Sequence, residues 1–489
     1  MNAARIGEAR ARAGRGDAAG AEALLREAIA VDPSDPLPLQ LLADLLLSQQ
    51  QTAHALPAYR QLLAMPHQRS ALNLLHLGFC EEAAGRLEEA AARYREALAI
   101  EPCMLEVHVN LAGLLWRLSD FDGAVAHGRE AVAIAPAHPF AQRILGAALL
   151  NRNALDEAER HLRRALELQP AFPAAQFDLA MTVLLGGRLA EGWPLYAQRW
   201  TDPRARRPAF FQAAREWPGP SVPLAGQSIA VYGEQGHGDM LQMLRFLPRL
   251  QALGAQVHCV LPAELVPLVE ASFPGVHCFR AGEALQVQWH AALLDLPGRL
   301  PIDLADLPGP MPYLRAPAEA AARWRERMAA WEGGVRIGLA WSGSPAQVNN
   351  RNRALALSLL LPITELPGVQ CFSLQKDDAG AWTDAQPATS RLVDLTDGWS
   401  SFAESAAMLE QLDLVITIDS AVAHLAGALG KPVWLLLPPN ADWRWLLDRA
   451  DSPWYPSARL FRRGLAEPRA TQVRRVRQAL PAWLAGRAA

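Results

Sequence analysis

The chain has 489 residues, of which 51% are hydrophobic and 20% are charged, and its formal net charge is -3. This length exceeds that of one ordinary domain, and the hydrophobic content predicts packed cores and excludes wholesale disorder. The nearly neutral charge argues against a dedicated nucleic-acid-binding protein, which would carry a basic excess.

The beginning of the chain and its cysteines indicate a compartment. The first residues lack the apolar segment of a signal peptide, and no apolar run approaches the roughly 18 residues of a transmembrane helix. The five cysteines are scattered and form no CxxC pair, so neither a disulfide framework nor a cysteine-rich zinc site is predicted. We therefore expect a cytoplasmic protein with reduced thiols and no transmembrane segment.

Residues 1–200 show a helical repeat. Pro102, Pro136 and Pro170 recur at intervals of 34 residues, which is the tetratricopeptide (TPR) period. Small residues recur in the same register, where the two helices of a repeat approach each other: Gly78, Ala90, Ala97, Ala112, Ala124, Ala131, Gly146, Ala158 and Ala165. A generic alanine-rich bundle would explain the composition but not this register. The pattern predicts a TPR solenoid over residues 1–200, with a groove that typically holds a peptide or protein segment.

Residues 201–226 are rich in proline and arginine and are interpreted as a connector. Within it, Phe210, Phe211 and Trp217 indicate that the connector packs against the protein. Beyond the connector, short runs of valine, isoleucine and leucine alternate with helical stretches, a pattern typical of parallel α/β structure.

Two α/β lobes are predicted after the connector, one over residues 227–325 and the other over residues 326–489. In the first lobe we expect strands at 227–234, 256–262, 276–279 and 290–297. In the second lobe we expect strands at 335–341, 369–376, 392–396, 413–419 and 432–438.

Two loops at the ends of predicted strands carry candidate site residues. One loop runs from Gln235 to Asp239, and the other runs from Asp419 to His424. Each leads into a helix, and Ser420 is placed to cap the second one. A helix that starts at the carboxyl edge of a parallel sheet favours phosphate binding, and ligands of two-lobed α/β proteins occupy the crevice at that edge. We expect the two loops to face each other across one cleft.

Residues 227–463 resemble glycosyltransferases of the GT-B fold, specifically the ADP-heptose heptosyltransferase-like family. The run ITIDSAVAHLAGALGKPVWLLLP is similar to that family's D-[ST]-x-x-x-H-L-A-x-A-x-x-x-P signature, with Asp419, His424 and Pro432 at matching places. Two further similarities are the glycine and Asp239 after the first strand, and GLAWSGSP followed by NNRNR. The combination with TPR repeats also resembles bacterial TPR glycosyltransferases, which include enzymes that modify flagellins or other proteins.

The resemblance implies an α plus α/β protein, with an N-terminal TPR solenoid followed by a GT-B pair of Rossmann-like lobes. It implies sugar transfer from a nucleotide-sugar donor without a metal or other cofactor. Asp239 would be the general base, and His424 would contact the diphosphate or orient the sugar. The expected donor-binding residues are Ser342, Gly343, Ser344, Arg351, Arg353, Asp419, Ser420, Ala421 and Trp443. The further candidates beside them are His237, Lys376 and Asp442.

Several alternatives stay open at this point. In TPR transferases of this type we expect a histidine and an aspartate where this chain has Gln347 and Asn350. The chain is then either a transferase acting on a protein held in the TPR groove, a lipopolysaccharide or capsule transferase, or a non-catalytic scaffold. Asp239 also suits a helix cap, and Trp443 also suits a core. Homo-oligomerisation is left open.

Overall fold

The computed structural model describes residues 2–202, 205, 207, 214–279, 283, 286–331, 333–376 and 391–488, so Phe210 and Phe211 of the predicted connector lie outside the described residues. The chain divides into two compact units. The helical unit comprises Met1–Asn151 and Arg160–Pro170, and the α/β unit comprises Arg152–Glu159 and Ala171–Ala489.

Residues 2–202 form paired helices and contain no strand, as the 34-residue period predicts. The helices are α1 (Asn2–Gly14), α2 (Ala18–Val31), α3 (Pro36–Ser48), α4 (Thr52–Ala64), α5 (Ala71–Ala83), α6 (Leu87–Ile100), α7 (Leu105–Leu115), α8 (Phe121–Ile134), α9 (Pro139–Asn151), α10 (Leu155–Leu168), α11 (Pro173–Leu185) and α12 (Leu189–Ala197).

The small residues of the repeat lie where the helices of a pair touch. A Cβ atom added to Gly78 would lie 2.6 Å from Cε1 of Tyr94, closer than packed carbon atoms allow. The register extends to polar contacts, since Nε2 of His108 lies 2.9 Å from the Pro102 carbonyl and Nε2 of Gln142 donates to the Pro136 carbonyl at 2.8 Å. These contacts stand one period apart, and they confirm the TPR-like helical repeat.

The α/β unit contains two separate parallel sheets, which confirms the prediction of two lobes. The first sheet has the order β1-β5-β2-β3-β4, with β1 (Arg215–Glu216), β2 (Ser228–Tyr232), β3 (Gln256–Val260), β4 (His277–Phe279) and β5 (Trp289–Ala292). The second has the order β11-β10-β9-β6-β7-β8, with β6 (Val335–Ala340), β7 (Val369–Ser373), β8 (Leu392–Val393), β9 (Leu414–Ile418), β10 (Val433–Leu437) and β11 (Ala458–Arg462).

Helices connect these strands. They are α13 (His237–Met243), α14 (Leu247–Ala252), α15 (Val266–Ser272), α16 (Leu296–Arg299), α17 (Ala318–Arg327), α18 (Asn350–Arg353), α19 (Leu357–Thr364), α20 (Phe402–Glu410), α21 (Ala421–Ala428) and α22 (Arg469–Ala488). The strands β9 and β10 are buried along their whole length, so their continuous apolar runs are those of central parallel strands.

Two details differ from the sequence prediction. The edge strands β1 and β11 were not predicted, because β1 has only two residues and β11 carries arginines at two of its five positions. The strand predicted at 290–297 ends at Ala292, since Pro297 stands in the first turn of α16, where proline is favoured. Trp217 of the connector is fully buried, which confirms that this part of the connector packs against the protein.

The last helix pair, α11 and α12, belongs to the α/β unit by its contacts. The indole N–H of Trp193 donates to the Ile302 carbonyl at 3.1 Å, and its ring meets the Trp443 ring edge-on at 5.2 Å between centroids. The predicted domain boundary at residue 200 stays a prediction, but residues 171–200 pack as part of the structure that carries the site.

Candidate functional site

The two predicted loops meet at Gly238. A Cβ atom added to Gly238 would lie 2.9 Å from Cδ2 of His424 and 3.4 Å from Cα of Ala421. The loop after β2 and the start of α21 are therefore in van der Waals contact, and glycine is needed because any side chain would push them apart. The two loops are adjacent, but they meet in direct contact, and of the two only the second lines the cleft described below.

Asp239 lies in the first turn of α13, with its side chain 24% exposed. Oδ2 accepts a hydrogen bond from the Gly236 backbone N–H at 2.9 Å, and Oδ1 lies 2.6 Å from Nη2 of Arg444. Asp239 thus holds the start of its helix from the third helical position, whereas the N-cap is Gly236, and it also forms an ion pair. Each carboxylate oxygen carries two lone pairs, so these contacts leave acceptor capacity for a proton.

Arg444 is a central residue that the sequence analysis missed. It lies in the short 3-10 turn Trp443–Trp445 and is almost fully buried. It bonds Gln242 through Nε at 2.5 Å and Asp442 through Nη1 at 2.8 Å, and it pairs with Asp239. One cation therefore joins the first lobe, which supplies Gln242 and Asp239, to the second lobe. In the sequence DWRW (442–445), Trp443 and Asp442 were the candidates, and the arginine between the tryptophans was not considered.

His424 is buried on α21 and is held by aromatic side chains. Its Nδ1 lies 2.9 Å from the Tyr455 hydroxyl, and its ring stacks on Trp445 at 5.4 Å between centroids. Burial lowers the pKa of His424 well below its usual value, and the nearby charges of Arg444, Arg245 and Arg353 lower it further. His424 is therefore a neutral imidazole.

Asp419 ends β9 at the other side of the same imidazole, with Oδ1 at 3.8 Å from Nε2 of His424. Burial, reinforced by the charge of Asp442, raises the pKa of Asp419 to about 6, although Arg353 and Arg444 act in the opposite direction. Asp442 is the N-cap of a short 3-10 turn, where its Oδ1 accepts from the Arg444 N–H at 3.0 Å. The two carboxylates thus share the influence of one buried arginine.

Ser420 occupies the N-cap position of α21, but its side chain makes no capping hydrogen bond. Its hydroxyl instead lies 3.3 Å from the hydroxyl of Thr417. The expected side-chain cap is therefore wrong, because the hydroxyl is turned toward β9. The Ala423 N–H donates to the Ser420 carbonyl at 3.0 Å, so the first-turn donors that the Ser420 side chain leaves uncapped are the N–H groups of Ala421 and Val422.

The loop after β6 is held beside α21 by Arg353 and Asn350. The Arg353 guanidinium donates to the Asp419 carbonyl at 2.7 Å through Nη1. Oδ1 of Asn350 accepts from the Gly343 N–H at 3.2 Å and from Nε of Arg353 at 3.3 Å. Asn350 therefore has a defined role in this loop even though an aspartate was expected there, whereas Gln347 is exposed.

A cleft of about 360 Å³ opens between these elements. Among its lining residues are six of the predicted candidates, namely Ser342, Gly343, Ser344, Lys376, Ser420 and Ala421. The other side of the cleft carries Trp399, Ser400, Ser401, Phe402 and Glu264. A volume in this range with convergent polar groups is typical of a small-molecule site.

His237 stands at the edge of this cleft. Its Nε2 lies 2.8 Å from Oε1 of Glu264, and its ring packs on Phe402 at 5.1 Å. The Phe402 backbone N–H donates to the Glu264 carbonyl at 2.9 Å, so the two lobes also touch here. Both polar side chains are more than a third exposed, which is typical of a rim contact.

Four predicted donor-binding residues lie outside the lining of the cleft, namely Arg351, Arg353, Asp419 and Trp443. Arg353 and Asp419 stand beside it, joined through the Asp419 carbonyl. Trp443 is 3% exposed and packs between Trp193 and Trp454, so its ring serves the core, as the alternative interpretation predicts. Arg351 is exposed on α18, and its backbone carbonyl accepts from Arg469 at 2.6 Å. Neither Trp443 nor Arg351 offers a side chain to the space that Ser342 lines.

Within the described ranges, no group of three or more histidine, cysteine, aspartate or glutamate side chains is arranged to hold a metal ion. Among the helices that the structure describes, none has the length and apolar character to cross a membrane.

Part of the second lobe is similar to a known protein family. Residues 390–465 match glycosyltransferase family 9 (heptosyltransferase), a range that contains Asp419, His424 and Arg444. The chain is also similar to Protein FlbA of Caulobacter vibrioides, at 29% identity over 322 residues, which is 58% of this chain and 52% of FlbA. The chain thus spans about half the length of this curated relative. The predicted heptosyltransferase-like domain is confirmed in the C-terminal part of the chain.

Solved structures similar to the chain include helical-repeat proteins. The MamA protein is 18% identical, covers 35% of this chain and 92% of its own, and has a TM-score of 0.33. A tetratricopeptide repeat protein from Parabacteroides merdae is 19% identical, covers 42% of this chain and 80% of its own, and has a TM-score of 0.38. The repeat assignment itself depends on the chain's own 34-residue register.

Proposed function

We propose that this chain is a glycosyltransferase that moves a sugar from a nucleotide-sugar donor to an acceptor hydroxyl in the cleft between its two lobes. The observation that carries the proposal is the contact of the Asp239 loop with the start of α21 at Gly238. This contact brings the carboxylate-bearing loop of one lobe against a helix N-terminus of the other, and that helix lies within residues 390–465, which match family 9.

The second lobe would bind the donor. The α21 N-terminus presents backbone donors and the positive end of a helix dipole, both of which favour a diphosphate. The hydroxyls of Ser342 and Ser344 and the ammonium of Lys376 line the same cleft and would add donors and a positive charge. Arg353 would act mainly by holding the Asp419 carbonyl and the Gly343 loop in place.

The first lobe would serve the acceptor. The acceptor hydroxyl gives its proton to the Asp239 carboxylate, while its oxygen forms a bond to the anomeric carbon of the sugar. The bond from the anomeric carbon to the diphosphate oxygen breaks, and the nucleoside diphosphate leaves with the bonding electrons. Preorganised N–H donors at α21 would stabilise the charge that develops on that oxygen without requiring a metal ion. Neutral His424 would orient the sugar or donate to the diphosphate.

The acceptor is proposed to be a protein, as in flagellin-type or other protein glycosylation in a cytoplasm. The support is the helical unit itself, because arrays of this kind offer an extended surface that commonly binds protein segments. The same cleft would serve a saccharide acceptor equally well, so the nature of the acceptor is a separate question from the transfer chemistry.

Nucleotide release tests the proposal. The wild-type chain is incubated with a panel of nucleotide sugars, with and without candidate acceptor proteins, and the released nucleoside diphosphate and the mass of the acceptor are measured. We expect release that depends on one donor class and an acceptor mass increased by one sugar. A thermal-shift panel identifies the donor class first, since a ligand that binds the folded state raises Tm. Donor binding without release by any acceptor would favour a non-catalytic scaffold.

A further inference from the structure

We propose that Tyr196, in α12, and Arg199, in the turn after α12, are positioning residues for the loop Gln235–Asp239. The consequence for catalysis rests on the proposed function, whereas the consequence for the loop itself does not. The inference assigns a task to residues 171–201 that differs from peptide binding: this helix pair holds the first-lobe side of the site.

Arg199 forms a buried ion-pair cluster at the end of β2. Its guanidinium pairs with Glu234, the residue that begins the loop, and with Asp295, whose Oδ1 lies 2.6 Å from Nη1. The three side chains are between 2% and 13% exposed. The indole N–H of Trp200 donates to the second oxygen of Asp295 at 2.9 Å. Since burial makes each unpaired charge costly, the cluster fixes where β2 ends relative to α12.

Tyr196 holds the next residue of the loop. The Gln235 side-chain amide donates to the Tyr196 hydroxyl at 2.5 Å. Gln235 has a φ of 61°, in the left-handed region that favours glycine, so this backbone turn needs external support. Tyr196 is itself 2% exposed and packs against Trp193 and Phe177. A fixed phenol hydroxyl therefore anchors the one strained residue of the loop.

The loop is consequently held from two directions. From one side, α12 and the turn after it bind Glu234 and Gln235. From the other side, Arg444 of the second lobe binds Asp239, whose second oxygen holds the Gly236 N–H. Removal of the first set of contacts would leave Asp239 paired with Arg444 but would loosen the backbone that sets its position. A misplacement of about 1 Å is enough to reduce turnover by up to roughly 100-fold.

Tyr196→Phe removes the hydroxyl and keeps the packed ring, and Tyr59→Phe is the matched control. Tyr59 is a fully buried tyrosine of the helical unit whose hydroxyl donates to Asp44 at 2.5 Å. The measurements are amide hydrogen exchange of a peptide covering residues 234–239, kcat, the KM for the donor, and Tm. For Tyr196→Phe we expect exchange of this peptide to accelerate about tenfold, kcat to fall about tenfold or more, and the donor KM to stay within about twofold. For the control we expect no change in exchange there or in kcat.

Unchanged exchange at 234–239 in Tyr196→Phe would overturn the inference, whether or not the chain transfers sugar. Faster exchange with an unchanged kcat in an active wild type would overturn its catalytic consequence. A wild type that transfers no sugar would defeat the proposed function while the exchange result still decides the role of Tyr196. Should Tyr196→Phe fail to fold, Gln235→Asn breaks the same bond from the other side. Asparagine tolerates the left-handed backbone but is too short to reach the hydroxyl.

Discussion

The loops that follow β2 and β9 share a local design, since each leaves the carboxyl end of a parallel strand and enters a helix, yet their carboxylates differ in environment. Asp239 is a quarter exposed and has a cation at 2.6 Å and a backbone donor at 2.9 Å. Asp419 is more deeply buried, lies near a second carboxylate, and has its pKa raised to about 6.

The side chains around a strand–loop–helix junction therefore determine which chemical groups the junction presents. In the first loop the helix start is held by the side chain of Asp239, so that junction presents a carboxylate. In the second loop the Ser420 side chain does not cap the helix, so that junction presents N–H donors. The first suits proton acceptance, and the second suits an anion such as a diphosphate.

The largest effect on sugar transfer is expected at Asp239, the proposed proton acceptor of the first loop. Asp239→Asn should reduce transfer about 100- to 10,000-fold, because the amide does not accept the acceptor's proton. Donor affinity should stay nearly unchanged, since the donor is proposed to bind the second lobe. Turnover, donor affinity and Tm are measured together. Full turnover in this variant would remove Asp239 as the base, and loss of folding would assign it a structural role.

Gly238→Ala tests the contact between the loops. The added Cβ would lie 2.9 Å from His424, so we expect a loss of about 1–3 kcal/mol in the free energy of unfolding and weaker nucleotide binding. Gly7→Ala in α1 is the control, because a Cβ there meets nothing within 4 Å and alanine favours the helix. Equal stability of Gly238→Ala and wild type would show that the loops are farther apart than described.

The two arginines of α18 test which side chains support nucleoside diphosphate binding on the second lobe. Arg353→Ala removes the bond to the Asp419 carbonyl and should weaken nucleoside diphosphate binding about tenfold, or about 1.4 kcal/mol. Arg351→Ala should change affinity by less than about twofold, because Arg351 does not line the cleft. Calorimetric titration of both variants measures the difference. The reverse order of effects would contradict the positions assigned to these side chains.

Stability against pH tests the unusual environment of Asp419. Its pKa of about 6 exceeds the unfolded value of about 3.9, so the folded state binds the proton more tightly. The Asp419 contribution to stability is therefore greatest at low pH and is lost as pH rises from about 4 to 6. In Asp419→Asn the side chain does not ionise, so the variant does not lose this stability as the pH rises. Its Tm relative to wild type should rise by about 2–4 °C between pH 4 and pH 7. A constant difference would place Asp419 in contact with water.

The smallest effect is expected at Ser420. Because its side chain makes no capping bond, Ser420→Ala should change the free energy of unfolding by less than about 0.5 kcal/mol. Removal of a true serine cap costs about 1 kcal/mol. Denaturant unfolding followed by circular dichroism distinguishes the two, and a loss of the larger size would mean that the hydroxyl caps α21 in solution.

Local sequence patterns predicted the helical repeat, most strands and both loops. The repeat period and the end of an apolar strand can be recognised from residues that are close together in the sequence. They did not reveal Arg444 or the cluster around Arg199, whose partners lie far away along the chain. From the sequence, Trp443 is expected to bind the donor, because sequence alone does not show that this residue of the short turn packs in the core. Contacts between distant segments, such as Arg444 with Asp239, become visible only in the folded chain.

A crystal structure with a bound nucleoside diphosphate tests most directly the claim that the two loops divide the chemistry. We expect diphosphate oxygens at about 3 Å from the first-turn N–H groups of α21 and close to the Ser342 hydroxyl. We also expect Asp239 to border the space where the sugar would continue and to make no contact with the phosphates. A diphosphate bound away from α21, or bound directly beside Asp239, would contradict this division of the chemistry.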